Sequence, residues 1–143
     1  MNYVMQCRSN YFRVRNTKRF LRWCSFFGLE HWSWIDPANS KPFYAIANDN
    51  GDGWPSSHPE TNDEVDFAAE LRHHLDPRDI AILFQTGAEG LRFITGYAEA
   101  IHADGRSVGV GLHSIYDLAR QTFGEGVTIT EASYRTRKAP RND

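Results

Sequence analysis

The chain of 143 residues carries a formal net charge of −2, with 13% aromatic residues and two cysteines. That length suits one domain around a single core, and packing of large rings removes the need for a disulfide or metal staple. The start, Met1 to Arg8, has no apolar h-region, and no apolar run approaches the roughly 20 residues that cross a bilayer. The sequence therefore argues against a secreted or membrane-spanning protein, and the cytoplasm is the expected compartment.

In chain order, residues 3–14 are aromatic and β-branched and predict a first strand. Asn16 caps a helix through about Phe27, with Phe20, Leu21, Trp23, Cys24 and Phe27 at helical spacing and Gly28 as the stop. Glu30–Ile35 and Pro42–Ala47 predict a hairpin around Asp36-Pro37-Ala38-Asn39-Ser40. The breaker-rich stretch from Asn48 to Glu60 predicts an exposed loop. A second helix is expected from Asp63 to Leu75, capped by Thr61 or Asn62 and ended by Asp76-Pro77. Ile80–Thr86, Leu91–His102 and Arg106–Gly111 predict a three-stranded meander, with Asp104-Gly105 as a hairpin signal. A third helix, Ser114 to Phe123, turns Ile115, Leu118, Ala119 and Phe123 inward before Gly124. Val127–Ser133 predicts a last strand. The expected fold is α+β in the order β-α-β-β-α-β-β-β-α-β: a mainly antiparallel sheet with about three helices on one face. Residues 1–134 form the single domain and 135–143 a basic flexible tail.

Charge is segregated along the chain. Residues 1–29 contain Arg8, Arg13, Arg15, Lys18, Arg19 and Arg22 and no acid, whereas residues 42–71 contain Asp49, Asp52, Glu60, Asp63, Glu64, Asp66 and Glu70 and no base. Such a pattern steers partners. The expected binding residues are these seven acids with Trp54 as an anchor, and, as a basic surface, Arg15, Lys18, Arg19 and Arg22.

Templates for chemistry do not fit. Asn48-x-Asn50-x-Asp52-Gly53 echoes a calcium loop, but the twelfth position is Pro59 and Glu60 comes one residue late. The six histidines lack a zinc-helix spacing, so no metal is expected. Gly51-Asp52-Gly53 and Gly109-Val110-Gly111 lack the lysine or third glycine of a phosphate-binding loop, and no serine sits in a nucleophile elbow. Cys7 and Cys24 read as buried thiols. Glu89 and Glu99 are candidate acids that a turn and a strand explain equally well. No catalytic residue and no cofactor is assigned.

Two stretches are similar to a known group. Arg8-Ser9-Asn10-Tyr11-Phe12-Arg13-Val14, followed by a short helix, resembles the opening of small uncharacterised proteins carried by plasmids, phages and integrated elements. Leu91-Arg92-Phe93-Ile94-Thr95-Gly96-Tyr97-Ala98, then Asp104-Gly105, then Ser114-Ile115-Tyr116-Asp117-Leu118-Ala119 and a strand ending in Tyr134, resembles their closing half. The resemblance implies a genomic setting in which inhibitors of host defence, including anti-CRISPR and antirestriction proteins, are common. It assigns no residue a role. The expected function is a non-enzymatic accessory protein that binds a host protein or ribonucleoprotein complex through a charged surface. The alternatives are a nucleic-acid binder using the basic helix, and an enzyme whose site is assembled from distant residues.

Overall fold

The first apolar segment is too rich in β-branched and aromatic residues for a helix and too short to be stable alone, so it pairs. In the computed structural model, which describes residues 4–38, 41–90 and 93–132, Val4–Ser9 (β1) lies at the centre of a six-stranded sheet. Thr17–Phe26 (α1) follows, then Glu30–Trp34 (β2), Phe43–Asn48 (β3), Phe67–Arg72 (α2), Ala81–Glu89 (β4), Phe93–Ile101 (β5), Ser107–Gly111 (β6) and Ser114–Phe123 (α3). The strand order is β2-β3-β1-β4-β5-β6, antiparallel throughout. This is the α+β class and element order expected, up to α3.

Side-chain alternation and strand register divide the sheet into two unlike faces. Cys7 stands opposite Asn48 and Gln85, Leu83 opposite Glu99, and Ala81 opposite Ile101. The inner face therefore carries Met5, Cys7, Ser9, Tyr44, Ile46, Leu83, Tyr97, Glu99 and Ile101. Helices α1 and α2 cover it: Phe20 and Cys24 from α1 and Phe67 and Leu71 from α2 join Phe12, Val14, Ile46, Leu75, Leu83 and Ile101 in one core. Asn16 caps α1 as expected, accepting from Arg19 N at 3.0 Å, and Gly28 leaves it at φ +66°.

Three expectations are corrected and one is refined. First, α2 is shorter than its pattern suggested. The chain from Ser56 to Val65 closes on itself, with His58 N donating to Asp63 O at 2.7 Å and Val65 N to Ser56 O at 2.9 Å, and Asn62 lies at φ +66°. Thr61 and Asn62 thus serve a turn, and Asp66 is the cap, accepting from Ala69 N at 3.1 Å.

Second, the Asn48–Glu60 segment is the loop expected, and it is anchored: Met5 N donates to Gly51 O at 3.0 Å, Trp54 N to Gln85 Oε1 at 3.1 Å, and the Asn48 amide to Gly53 O. Third, residues 127–132 form no strand, and Ala132 N instead donates to Tyr116 Oη at 2.7 Å. Both sheet edges, β2 and β6, remain without this segment. Fourth, α3 has the predicted span but no buried residue, so its apolar side is not inward. The basic tail lies outside the described residues.

Candidate functional site: an acidic groove around Trp54

Burial of Phe67 organises the site. Its ring stacks on Trp23 of α1 (centroids 5.1 Å apart, planes at 22°) and, on its other side, on Trp54 of the loop (5.3 Å, 17°). Three rings thus join α1, α2 and the loop. Gly53 allows the loop to approach: at φ +86°, a Cβ there would lie 2.6 Å from Gln85 Oε1 and 2.7 Å from Met5 Sδ.

Beyond Trp54 a groove of about 710 Å³ opens, lined by Glu64, Asp66, Phe67, Gln85, Tyr97 and Glu99 among others. Its polar groups come from separate elements: Glu64 and Asp66 precede α2, Gln85 belongs to β4, and Tyr97 and Glu99 belong to β5. Tyr97 crosses the glycine pair of β6, because a Cβ on Gly109 would fall 1.9 Å from its hydroxyl. That is the role of Gly109-Val110-Gly111: ring clearance, not phosphate binding. The Trp54 indole Nε1 is buried and has no hydrogen-bond acceptor, as is the case for His58 Nδ1. Among the described residues no base is within ion-pair distance of Glu64, Asp66 or Glu99. The arrangement is three carboxylates and three rings around one opening, which suits a cation.

The acids expected to form one surface divide into groups. Glu64 and Asp66 line the groove with Trp54. Asp52, Glu60 and Asp63 are exposed on the turns beside it. Asp49 lies elsewhere, in a depression with Gln6, Arg8, Glu30, Phe84 and Thr86. Glu70 is also separate: its carboxylate accepts from Trp23 Nε1 at 3.0 Å, and it lines a second depression with Arg15, Asn16, Arg19, His73 and His74. The two charge blocks meet at that point through an indole, and among the described residues no ion pair joins them.

The four bases expected to form a basic surface come from α1 and the turn before it. Arg15, Lys18, Arg19 and Arg22 are all exposed, and Arg15 Nε donates to Leu75 O at 2.9 Å. Two further bases of the same block are occupied. Arg13 forms a bidentate pair with Asp79 (2.6 and 2.9 Å), and Arg8 lies 5.0 Å over the Trp32 ring. Burial, then the charge of Arg19, lowers the pKa of His74 below the usual histidine value, which keeps the ring neutral beside Trp23. Both cysteines are buried, and burial pushes the Cys24 thiol up to about 12, which makes it inert as a nucleophile near neutral pH. The asparagines of the calcium-like segment bond their own loop: Asn50 Oδ1 accepts from Asp52 N at 2.8 Å, and Asn48 holds Gly53. No helix among the described residues is long and apolar enough to cross a membrane.

Of the groove residues, sequence reasoning reached Trp54, Glu64, Asp66 and Glu99 and missed Phe67, Gln85 and Tyr97. The available signal was the polar Gln85 and Glu99 in phase with the inward Leu83 and Ile101. A polar residue on a core-facing row marks the place where cover ends. No family model, no curated protein and no solved structure matches the chain.

Proposed function

We propose that the protein works by binding: the groove around Trp54 takes a cationic segment of a partner protein. In the mobile-element setting that the sequence resemblance implies, that partner is a host defence complex, a CRISPR effector or a restriction enzyme, whose nucleic-acid channel is rich in Arg and Lys. The observation that supports this most is the convergence of Glu64, Asp66 and Glu99 on Trp54, Phe67 and Tyr97 with no base of the described residues paired to them. An arriving guanidinium finds carboxylates to bond and the half-exposed Tyr97 ring to stack on. The exposed Asp52, Glu60 and Asp63 extend the negative field and favour encounter with a basic surface.

The test titrates an octa-arginine peptide against the protein, following indole fluorescence at two salt concentrations. Binding is expected to weaken with salt and to fall about ten-fold or more in Glu64→Gln/Glu99→Gln, which leaves the Asp66 cap intact. Pull-down and inhibition assays with CRISPR effector and restriction complexes then examine the partner. No peptide binding at low salt, or binding indifferent to the double substitution, removes the groove reading. A panel of defence complexes neither bound nor inhibited removes the biological one.

One observation favours nucleic acid as a second reading. Lys18 and Arg19 stand in the first turn of α1, where the helix dipole disfavours cations, and no acid occupies that turn. A basic stripe that opposes helix stability suits phosphate contact. A gel shift at low salt, lost in Lys18→Gln/Arg19→Gln/Arg22→Gln, is the expected result under this reading, and no shift at all eliminates it.

A further inference from the structure

The outer face of the sheet follows from the same register as the inner one. Arg8 stands opposite Phe84, Phe84 opposite Ala98, and Ala98 opposite Val110; Ala88 stands opposite Val4 and Ile94. Across β4, β5 and β6 this face is apolar apart from Thr86, and no helix of the described residues buries it: Ile94 is 61% exposed, Val108 70% and Val110 60%. Leu112 continues the β6 row and folds over Gly96, where an added Cβ would meet its side chain at 2.9 Å. Directly after it, α3 presents Ile115, Leu118 and Phe123 on one side at 60%, 54% and 68% exposure. The chain thus leaves open both halves of a helix-on-sheet contact.

The edge is open too. Among the described residues β6 is the last strand of the sheet, and its sequence, Ser-Val-Gly-Val-Gly, has no charge and no proline. Sheets normally guard an exposed edge with such residues, because unpaired N–H and C=O groups recruit other strands. At the opposite edge, β2 carries Glu30 and His31.

We infer that the occupant is a second copy of this chain, in a symmetric dimer that joins β6, the outer face of β4–β6 and α3 to the same elements of its mate. The area supports this. An apolar side chain of this size offers about 100 Å², so Ile94, Val108, Val110 and Leu112 on the outer face with Ile115, Leu118 and Phe123 on α3, each more than half exposed, present roughly 400–500 Å². Non-polar atoms make up about 56–65% of an interface, which scales this to about 600–900 Å² per copy. A standard interface takes about 800 Å² from each partner. By composition residues 133–143 have little apolar surface to offer such a face: they hold Arg135, Arg137, Lys138 and Arg141 and a single aromatic residue, Tyr134. A two-fold contact uses one patch twice, so it satisfies the open edge, the sheet face and the helix face together. This inference does not depend on the groove, which opens on the other face.

Light scattering coupled to gel filtration tests it on the full chain. Twice the 16.4 kDa chain mass is expected at micromolar concentration, with dissociation on dilution. Val110→Lys and Leu118→Lys replace side chains that a lone chain already exposes, so both should keep the circular dichroism and cooperative unfolding of the parent while running as monomers. Glu64→Gln, in the groove, should remain dimeric. If a lysine variant unfolds, Val110→Ser decides the same question through a dissociation constant raised roughly ten-fold. A monomeric parent at all concentrations, a dimer unmoved by these substitutions, or open-ended polymers in place of a closed pair would each overturn the inference.

Discussion

Replacing Phe67 tests whether the groove and the core are one structure. The ring is 6% exposed, stacked between Trp23 and Trp54 and set edge-on to Phe27 at 6.1 Å. Phe67→Ala removes its burial and leaves a cavity between two indoles that cannot close while their own backbones are held. The cost expected is about 3–5 kcal/mol. Phe67→Leu retains most of the apolar volume and deletes the two stacked contacts and the edge-on one, each worth about 0.5–1.5 kcal/mol beyond area, so it should cost roughly 1.5–4 kcal/mol. Against a total of about 5–15 kcal/mol for a domain, the leucine variant stays folded and measurable. Urea denaturation followed by far-ultraviolet circular dichroism gives the difference free of indole effects, and tryptophan emission reports the loss of stacking. A double-mutant cycle of Phe67→Leu with Trp54→Leu should return a coupling of about 0.5–1.5 kcal/mol. An alanine variant destabilised by less than about 1 kcal/mol, or a coupling of zero, would refute the stacked ladder and with it the anchoring of Trp54.

Two other perturbations follow from the geometry. Gly53→Ala places a Cβ in the left-handed region against Gln85 and Met5 and should cost about 1–3 kcal/mol in denaturation midpoint while exposing residues 48–56 to protease; unchanged stability and cleavage would contradict the anchored loop. Asp79 is held below the usual aspartate pKa, chiefly by hydrogen bonds from Arg13, so the folded chain stays ionised where the unfolded chain takes up a proton. Its contribution is complete above about pH 5 and falls away as pH drops below about 4. Asp79→Asn should therefore lower stability near neutrality by roughly 1–3 kcal/mol and flatten the decline between about pH 5 and 3; parallel stability curves for parent and variant would disprove the pairing.

The sequence revealed elements wherever a local signal was unique. α1 was readable from Asn16, the Phe20-Cys24-Phe27 spacing and Gly28, and the meander from Asp104-Gly105, where Gly105 takes φ +100°. Ambiguity began where signals competed. Thr61, Asn62 and Asp66 are all acceptable caps, and the backbone bonds from Ser56 to Val65 select the third. Val127-Thr128-Ile129-Thr130 alternates like a strand, but alternation does not supply a neighbouring edge. The stripe of α3 was correct as a pattern; which molecule covers it is not a property of the pattern. The charge blocks were legible as runs, yet Asp49 and Glu70 leave the acidic surface because register and the Trp23 bond place them elsewhere. The groove gathers Trp54, Asp66, Gln85 and Glu99 across more than forty positions of sequence, a juxtaposition that only the sheet order creates.

Strict alternation along β5 connects the two surfaces and yields a further consequence. Tyr97 and Glu99 feed the groove, whereas Ala98 and Ala100, between and beside them, lie on the outer face. Pairing through the outer face therefore leaves both grooves open, and a dimer presents two cation sites to one partner. A partner with two basic segments then binds the second at an effective concentration set by the geometry of the first, which raises avidity by up to about 10²–10⁴ without a new contact. Val110→Lys should accordingly weaken binding to a tethered pair of arginine peptides while leaving a single peptide's affinity unchanged, and Glu64→Gln/Glu99→Gln should weaken both. If the monomeric variant binds the tethered pair as tightly as the parent, the two faces do not cooperate. If it loses the single peptide as well, the outer face supports the groove directly, and the separation of duties across β5 is wrong.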